Sequence, residues 1–121
     1  DFLRVGPPCE ILNQGAFVDY KGKYGDGAFN YRIPARLSKI ETALGIDLAK
    51  KTYRALHCKG LARVDFFIDT QGHFWLNEIN PFPGCTDTSA FPKIWEGAGQ
   101  KMGEILDELI AMAFQRVRAF K

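Results

Sequence analysis

The sequence contains no apolar run approaching the ~18 residues that mark a membrane span. Its opening, Asp1-Phe2-Leu3-Arg4, has no basic stretch leading into an apolar one, so neither a span nor a secretory leader is expected. Cysteine is scarce. Cys9, Cys58 and Cys85 are odd in number and widely spaced, which argues against a disulfide framework or a zinc knuckle and fits free thiols in the cytoplasm. A charge of one sign is also missing: 16 Lys+Arg against 14 Asp+Glu leaves a net +2 with no basic block. Nucleic acid and membrane surfaces are therefore not expected as partners. Internal repeats and low-complexity tracts are absent too. What remains is a 121-residue chain, 46% hydrophobic and 25% charged, with apolar material for one core.

Turn residues punctuate the first third. Cys9–Leu12 and Ala16–Tyr20 read as two short strands around Asn13-Gln14-Gly15. An isolated hairpin is marginal, so further sequence upstream is expected. Lys21 to Gly27 carries three glycines and two lysines, which reads either as an exposed connector or as a flap closing over an anion. Ser38 and Glu41 form a capping-box pattern opening a helix to about Cys58, with Ile40, Leu44, Leu48, Ala49, Tyr53 and Leu56 at helical spacing and Gly60 as its C-cap. A short helix is expected around Lys93–Gly97. A last amphipathic helix is expected over roughly Met102–Phe120, with Ile105, Leu106, Leu109, Ile110, Ala113 and Val117 facing the core.

Between these helices, Leu61–Ile68 and His73–Ile79 read as the arms of a hairpin around Asp69-Thr70-Gln71-Gly72. A two- or four-residue turn there sets Arg63 opposite Glu78 and Asp65 opposite Leu76. One face then gathers Arg63, Asp65, Phe67, Phe74, Leu76, Glu78 and Asn80. The other is mostly apolar, with Ala62, Val64, Phe66, Ile68, Trp75 and Ile79. Asp65 and Glu78 become diagonal neighbours within reach of one metal ion, and oxygen donors of this kind suit Mg²⁺. A three-residue turn would instead send the two carboxylates to opposite faces. The simpler reading of Arg63 and Glu78 is an exposed cross-strand ion pair.

The loop from Asn80 to Ser89 begins at this cluster. Pro81 and Pro83 stiffen it, Gly84 allows backbone to approach a ligand, and Thr86, Thr88 and Ser89 supply hydroxyls. Ser89 at the start of the next helix would make a carboxylate site. Metal ligands, an anion site and a basic flap together read as phosphoryl or acyl transfer.

These residues resemble a known family. The run Leu56-x3-Gly60-x-Ala62-Arg63-Val64-Asp65-Phe66-Phe67, then eight residues, then Leu76-x-Glu78-Ile79-Asn80-Pro81-x-Pro83-Gly84 is similar to the C-terminal pattern of D-alanine–D-alanine ligases, in the ATP-grasp superfamily. Thr86 to Trp95, Glu10-Ile11 and Phe17 to Tyr24 share the likeness, which covers about residues 9–118.

The resemblance implies an α+β fold, mainly antiparallel sheet packed on helices, with the family's N-terminal and central domains lying outside residues 1–121. It implies ATP as co-substrate and two Mg²⁺ ions, with Mn²⁺ admitted in their place, held by Asp65, Glu78 and Asn80. Arg63 and the Gly84 backbone would stabilise the tetrahedral intermediate. Lys23 would meet the transferred phosphate, Tyr24 would close the second-substrate side, and Ser89 would hold the second substrate's carboxylate. Phe17 and Leu76 would line the nucleotide pocket. The implied partners are D-alanine, ATP and the parent's other domains, with a homodimer left open.

Cys85, Thr88 and Ala90 depart from the family pattern beside the second-substrate site. Ligases making D-Ala–D-Ser or D-Ala–D-lactate are therefore kept as alternatives, with a non-catalytic nucleotide-binding module as the reading from another class. The intact Arg63, Asp65, Glu78, Asn80 and Lys23 argue against the last. Without upstream domains, these residues alone are not expected to be an active ligase.

Overall fold

The computed structural model describes residues 3–12 and 30–119. In chain order its elements are β1 (Glu10–Leu12), β2 (Asn30–Arg32), α1 (Lys39–Ala55), β3 (Arg63–Ile68), β4 (Phe74–Asn80), α2 (Ala90–Gly97) and α3 (Met102–Ala119). The strands form two antiparallel pairs, β1 with β2 and β3 with β4, so the α+β class is as expected. The second expected strand, 16–20, and the glycine-rich flap lie outside the described residues. Within them β1 pairs instead with Asn30–Arg32, a strand the sequence reading did not identify. Beside this pair Glu10 receives Arg36 Nη2 at 2.6 Å and Nε at 3.1 Å. Hydrogen bonding from Arg36 lowers the Glu10 carboxyl to about 2.

Helix α1 starts as its capping box dictates. Glu41 N–H donates to Ser38 Oγ at 3.2 Å and Ser38 N–H to Glu41 Oε2 at 2.8 Å. Its end differs from the expectation. The helix stops at Ala55, and His57, not Gly60, takes the left-handed conformation that closes it, with φ 52°. His57 N–H donates to Arg54 O and Cys58 N–H to Tyr53 O, the paired bonds of a Schellman cap. A side chain is strained there, so His57→Gly is expected to raise stability by roughly 0.5–1 kcal/mol, read as a higher denaturant midpoint at unchanged slope.

The hairpin corrects the expected register in two steps. Its loop is three residues long: Gly72 N–H donates to Asp69 O at 3.0 Å, Asp69 N–H donates to His73 O at 3.1 Å, and Gly72 sits at φ 83°, open to glycine. The Asp69 carboxylate fixes this loop. It accepts from the backbone N–H groups of Gln71 and His73, both at 2.9 Å, from His73 Nδ1 at 3.0 Å and from Trp75 Nε1 at 3.1 Å. These bonds hold its carboxyl well below the usual range. Phe66 pairs with Leu76, Phe67 with Trp75 and Ile68 with Phe74.

Such a loop alone would have parted Asp65 from Glu78. A bulge between the Asp65 and Phe66 pairings leaves Asn77 as an extra residue, and beyond it Asp65 pairs with Glu78, Val64 with Ile79 and Arg63 with Asn80. Phe74 and Trp75 thus exchange their expected faces. Phe74 meets Phe66 edge-to-face at 5.8 Å and lies over Gly45 of α1. Trp75 joins Phe67 on the carboxylate face.

Among the described residues the buried hydrophobic core is Ala90, Phe91 and Ile105. It lies where α2 meets α3, and Phe91 and Trp95 pack edge-to-face at 6.3 Å. Arg4 ties the leading segment to this end, stacking on Trp95 at 5.2 Å, bonding Gln100 at 3.1 Å and pairing with Glu108. The apolar stripe of α3 was expected inside, yet only Ile105 is buried, while Leu106, Ile110 and Val117 are exposed. Among the described elements α2 is the main neighbour of α3, and it touches too short a stretch to cover an apolar stripe of that length. Likewise α1 buries no residue fully, although it lies on the hairpin. Among the described residues no helix is long and apolar enough to cross a membrane.

Candidate functional site

The carboxylate face of the hairpin is built from three cross-strand pairs: Arg63 with Asn80, Asp65 with Glu78, and Phe67 with Trp75. Asp65 and Glu78, expected as diagonal neighbours, stand directly opposite one another. Arg63 joins them. Its Nε donates to Asp65 Oδ1 and its Nη2 to Asp65 Oδ2, both at 2.8 Å, and Nη2 reaches Glu78 Oε1 at 3.4 Å. The Asp65 bonds raise the Arg63 pKa. Arg63 and Asp65 are 26% and 22% exposed and Glu78 is 51% exposed, so the forked pair is sheltered and Glu78 faces outward.

The β1–β2 pair borders this site. Burial, then the Asp65 charge, pushes the Cys9 thiol up to about 11, leaving it a protonated, inert neighbour. Burial also raises the Tyr31 hydroxyl, which feels Arg63 and Asp65 as well.

Asn80 ends β4, and its Oδ1 accepts Phe82 N–H at 2.9 Å, so the amide that belongs to the cluster also turns the chain into the loop. Pro83 is buried and pins the loop. Gly84 comes so close to Ser89 that a Cβ there would lie 2.8 Å from Ser89 Oγ. Ser89 does stand at the N-cap of α2, which now begins at Ala90, earlier than expected. Its side chain makes no capping bond. Instead Ser89 Oγ accepts Thr86 N–H at 3.2 Å and lies 2.7 Å from Thr86 Oγ1, which is 3.3 Å from Thr88 Oγ1. Three hydroxyls and the glycine backbone thus converge at the open end of a helix.

Of the residues singled out in the sequence, Arg63, Asp65, Glu78 and Asn80 come together, and Gly84 and Ser89 meet in the adjoining loop. Leu76 does not join them: the three-residue loop sets it opposite Phe66, and the bulge at Asn77 parts it from Glu78, leaving it on the other face. Phe17, Lys23 and Tyr24 lie outside the described residues. The Phe67–Trp75 pair was missed. Phe67 is 64% and Trp75 61% exposed, an aromatic surface beside the carboxylates. The sequence offers a signal only for Phe67, which shares the strand parity of Asp65.

Among the described residues no group of three or more His, Cys, Asp or Glu is placed to hold a metal. Two carboxylates and an amide oxygen make a small, hard donor set. That fits Mg²⁺, which keeps water and substrate phosphate oxygens in its shell, and does not fit a structural zinc.

The sequence pattern described as "D-ala D-ala ligase C-terminus" matches residues 1–111. The chain is 40% identical over 113 residues to a D-alanine–D-alanine ligase of Clostridium acetobutylicum, covering 93% of this chain and 33% of that one. Among solved structures it resembles a D-Ala:D-Ser ligase of Enterococcus faecalis, with a TM-score of 0.78 and 35% identity over 93% of this chain and 33% of that one. It also resembles a D-alanine–D-alanine ligase of Bacillus anthracis complexed with ATP, with a TM-score of 0.75 and 26% identity over 96% of this chain and 38% of that one. The chain spans about a third of the length of the curated relatives it matches.

Proposed function

Because the chain belongs to the family of D-alanine–D-alanine ligase C-terminal domains, we propose that it supplies the metal-binding hairpin and second-substrate loop of a cytoplasmic ATP-dependent ligase. That enzyme joins two D-alanines for peptidoglycan precursor synthesis, with the parent's N-terminal and central domains contributed by sequence beyond these residues. The observation that carries this reading is the opposed Asp65–Glu78 pair, gripped by Arg63, at the mouth of the Asn80–Ser89 loop.

In this reading the γ-phosphoryl group of ATP passes to a carboxylate oxygen of the first D-alanine, giving an acyl phosphate and ADP. The amine of the second D-alanine attacks the acyl carbon, the C–O bond to phosphate breaks, and the amine gives up a proton. Asp65, Glu78 and Asn80 would hold two Mg²⁺ ions, or Mn²⁺, which when bound offset the charge of the phosphate oxygens. Arg63 and the Gly84 N–H would face the oxyanion of the tetrahedral intermediate, where preorganised charge contributes most. Ser89 and the free N–H groups opening α2 would take the carboxylate of the second substrate. Lys23 and Tyr24, by resemblance, would meet the phosphate and shut the second-substrate side. Of the two groups assigned by resemblance to the nucleotide pocket, Phe17 keeps that role, and we replace Leu76 by the Phe67–Trp75 surface, which shares the carboxylate face.

A D-Ala–D-Ser ligase is the second reading, supported by the likeness to the Enterococcus faecalis structure and by the departures at Cys85, Thr88 and Ala90. The test is phosphate release from ATP and Mg²⁺ by the natural-length polypeptide that carries this sequence, with D-alanine plus D-alanine, D-serine or D-lactate. The fastest rate is expected with D-alanine alone. Release with none of them overturns the ligase reading and leaves a non-catalytic module.

A further inference from the structure

We infer that Arg63 selects the divalent cation of the Asp65–Glu78 site by making Asp65 a one-oxygen ligand. This rests on the metal-site reading above and extends it to cation choice. The Arg63 fork meets both Asp65 oxygens, Nε on Oδ1 and Nη2 on Oδ2, each at 2.8 Å. Two parallel N–H···O bonds occupy one edge of the carboxylate, the edge a metal needs in order to chelate through both oxygens. Each oxygen keeps one lone pair, directed away from the other, so a cation can take one Asp65 oxygen but not the pair. The fork is two residues away on the same strand and sheltered, so it does not depend on the partner strand for its geometry.

The consequence differs between cations. Mg²⁺ is small, requires near-octahedral geometry and works with single-oxygen carboxylates. Ca²⁺ prefers six to eight oxygens and gains from carboxylates bound through both. Closing the chelating edge of Asp65 therefore costs Ca²⁺ a ligand and leaves Mg²⁺ and Mn²⁺ theirs. Glu78 does not compensate by taking over the selection, because it receives only the long 3.4 Å contact and stays half exposed. Arginine is required for this role. A lysine keeps the charge but offers one point of contact and cannot cover both oxygens.

The test compares Mg²⁺ and Ca²⁺ binding by calorimetry, metal alone and without nucleotide, on the natural-length protein and its Arg63→Lys and Arg63→Met variants. The readout is the ratio of the two dissociation constants, in which the general effect of removing a nearby positive charge largely cancels. Both variants are expected to shift that ratio toward Ca²⁺ by about tenfold, the lower end of what outer-shell partners of a ligand contribute. An unchanged ratio overturns the inference while leaving the metal site intact. If the wild type binds neither metal, the site itself fails and the inference with it. A second measurement needs no variant: the Arg63 Nε–H resonance of the wild type should keep its hydrogen-bonded position when Mg²⁺ saturates the site. Its movement to the free-guanidinium position overturns the inference even if neither variant folds.

Discussion

Replacing Glu78 by glutamine is expected to cut D-alanine-dependent phosphate release by about 10³-fold or more, with the fold unchanged. A metal ion, which Glu78 would hold by its charge, acts on the transferring phosphoryl group with several kcal/mol, and each 1.36 kcal/mol is tenfold in rate. Glutamine keeps the size of the side chain and an oxygen that accepts from Arg63, so what is removed is the charge. The structural cost is small. Glu78 is half exposed, and its one bond in the cluster is the 3.4 Å contact from Arg63. Its unfolding free energy should therefore stay within about 0.5 kcal/mol of the wild type. The competing view, a surface ion pair on a solvated sheet, makes the opposite forecast: near-normal turnover. Steady-state phosphate release, measured together with a denaturant curve, separates the two. Turnover within tenfold of the wild type sinks the assignment of Glu78 as a metal ligand.

The Asp65–Glu78 pairing also shows what could be read from residue order. Strand parity placed Arg63 and Asp65 on one face, since β3 runs without interruption from Arg63 to Ile68. It could not place β4, because two irregularities act there. The left-handed Gly72 makes the loop three residues long, which shifts the register by one. The bulge at Asn77 shifts it by one more. Together they restore the two carboxylates to one face, though the route differs from the uniform ladder expected. Neither step has a mark in the sequence: Asp69-Thr70-Gln71-Gly72 suits more than one turn, and Asn77 looks like any polar strand residue. Leu76, Phe74 and Trp75 lie between the two irregularities, and these are the residues whose faces were misassigned. Ends fixed by side-chain chemistry were legible, as with Ser38 and Glu41 at the start of α1. The other end was not, because Gly60 looked like the natural cap and the strained His57 holds that place.

The largest stability effect is expected at Phe91. Truncation to alanine should lower the unfolding free energy of the natural-length protein by about 3–5 kcal/mol, the usual cost of removing a buried aromatic ring and leaving a cavity. Phe91 is 6% exposed, and with Ala90 and Ile105 it makes up the buried core among the described residues, so its ring is a large share of the apolar packing there. The edge-to-face contact with Trp95 is lost with the ring, and Trp95 also carries the stacked Arg4. The effect on function follows from position. Phe91 lies two residues beyond Ser89, in the first turn of α2, and its burial holds that helix end where the Thr86–Ser89 hydroxyls converge. At a temperature where the variant is still folded, KM for the second D-amino acid should rise more than KM for ATP, because the hairpin carrying Asp65 and Glu78 is anchored separately through Phe66, Phe74 and α1. Phe82→Ala is the matching control: that ring is 90% exposed in the same loop, and its loss should change stability by no more than about 0.5 kcal/mol. Denaturant midpoints and the two KM values decide the matter. Equal rises in both KM values would mean that α2 does not separately position the second substrate.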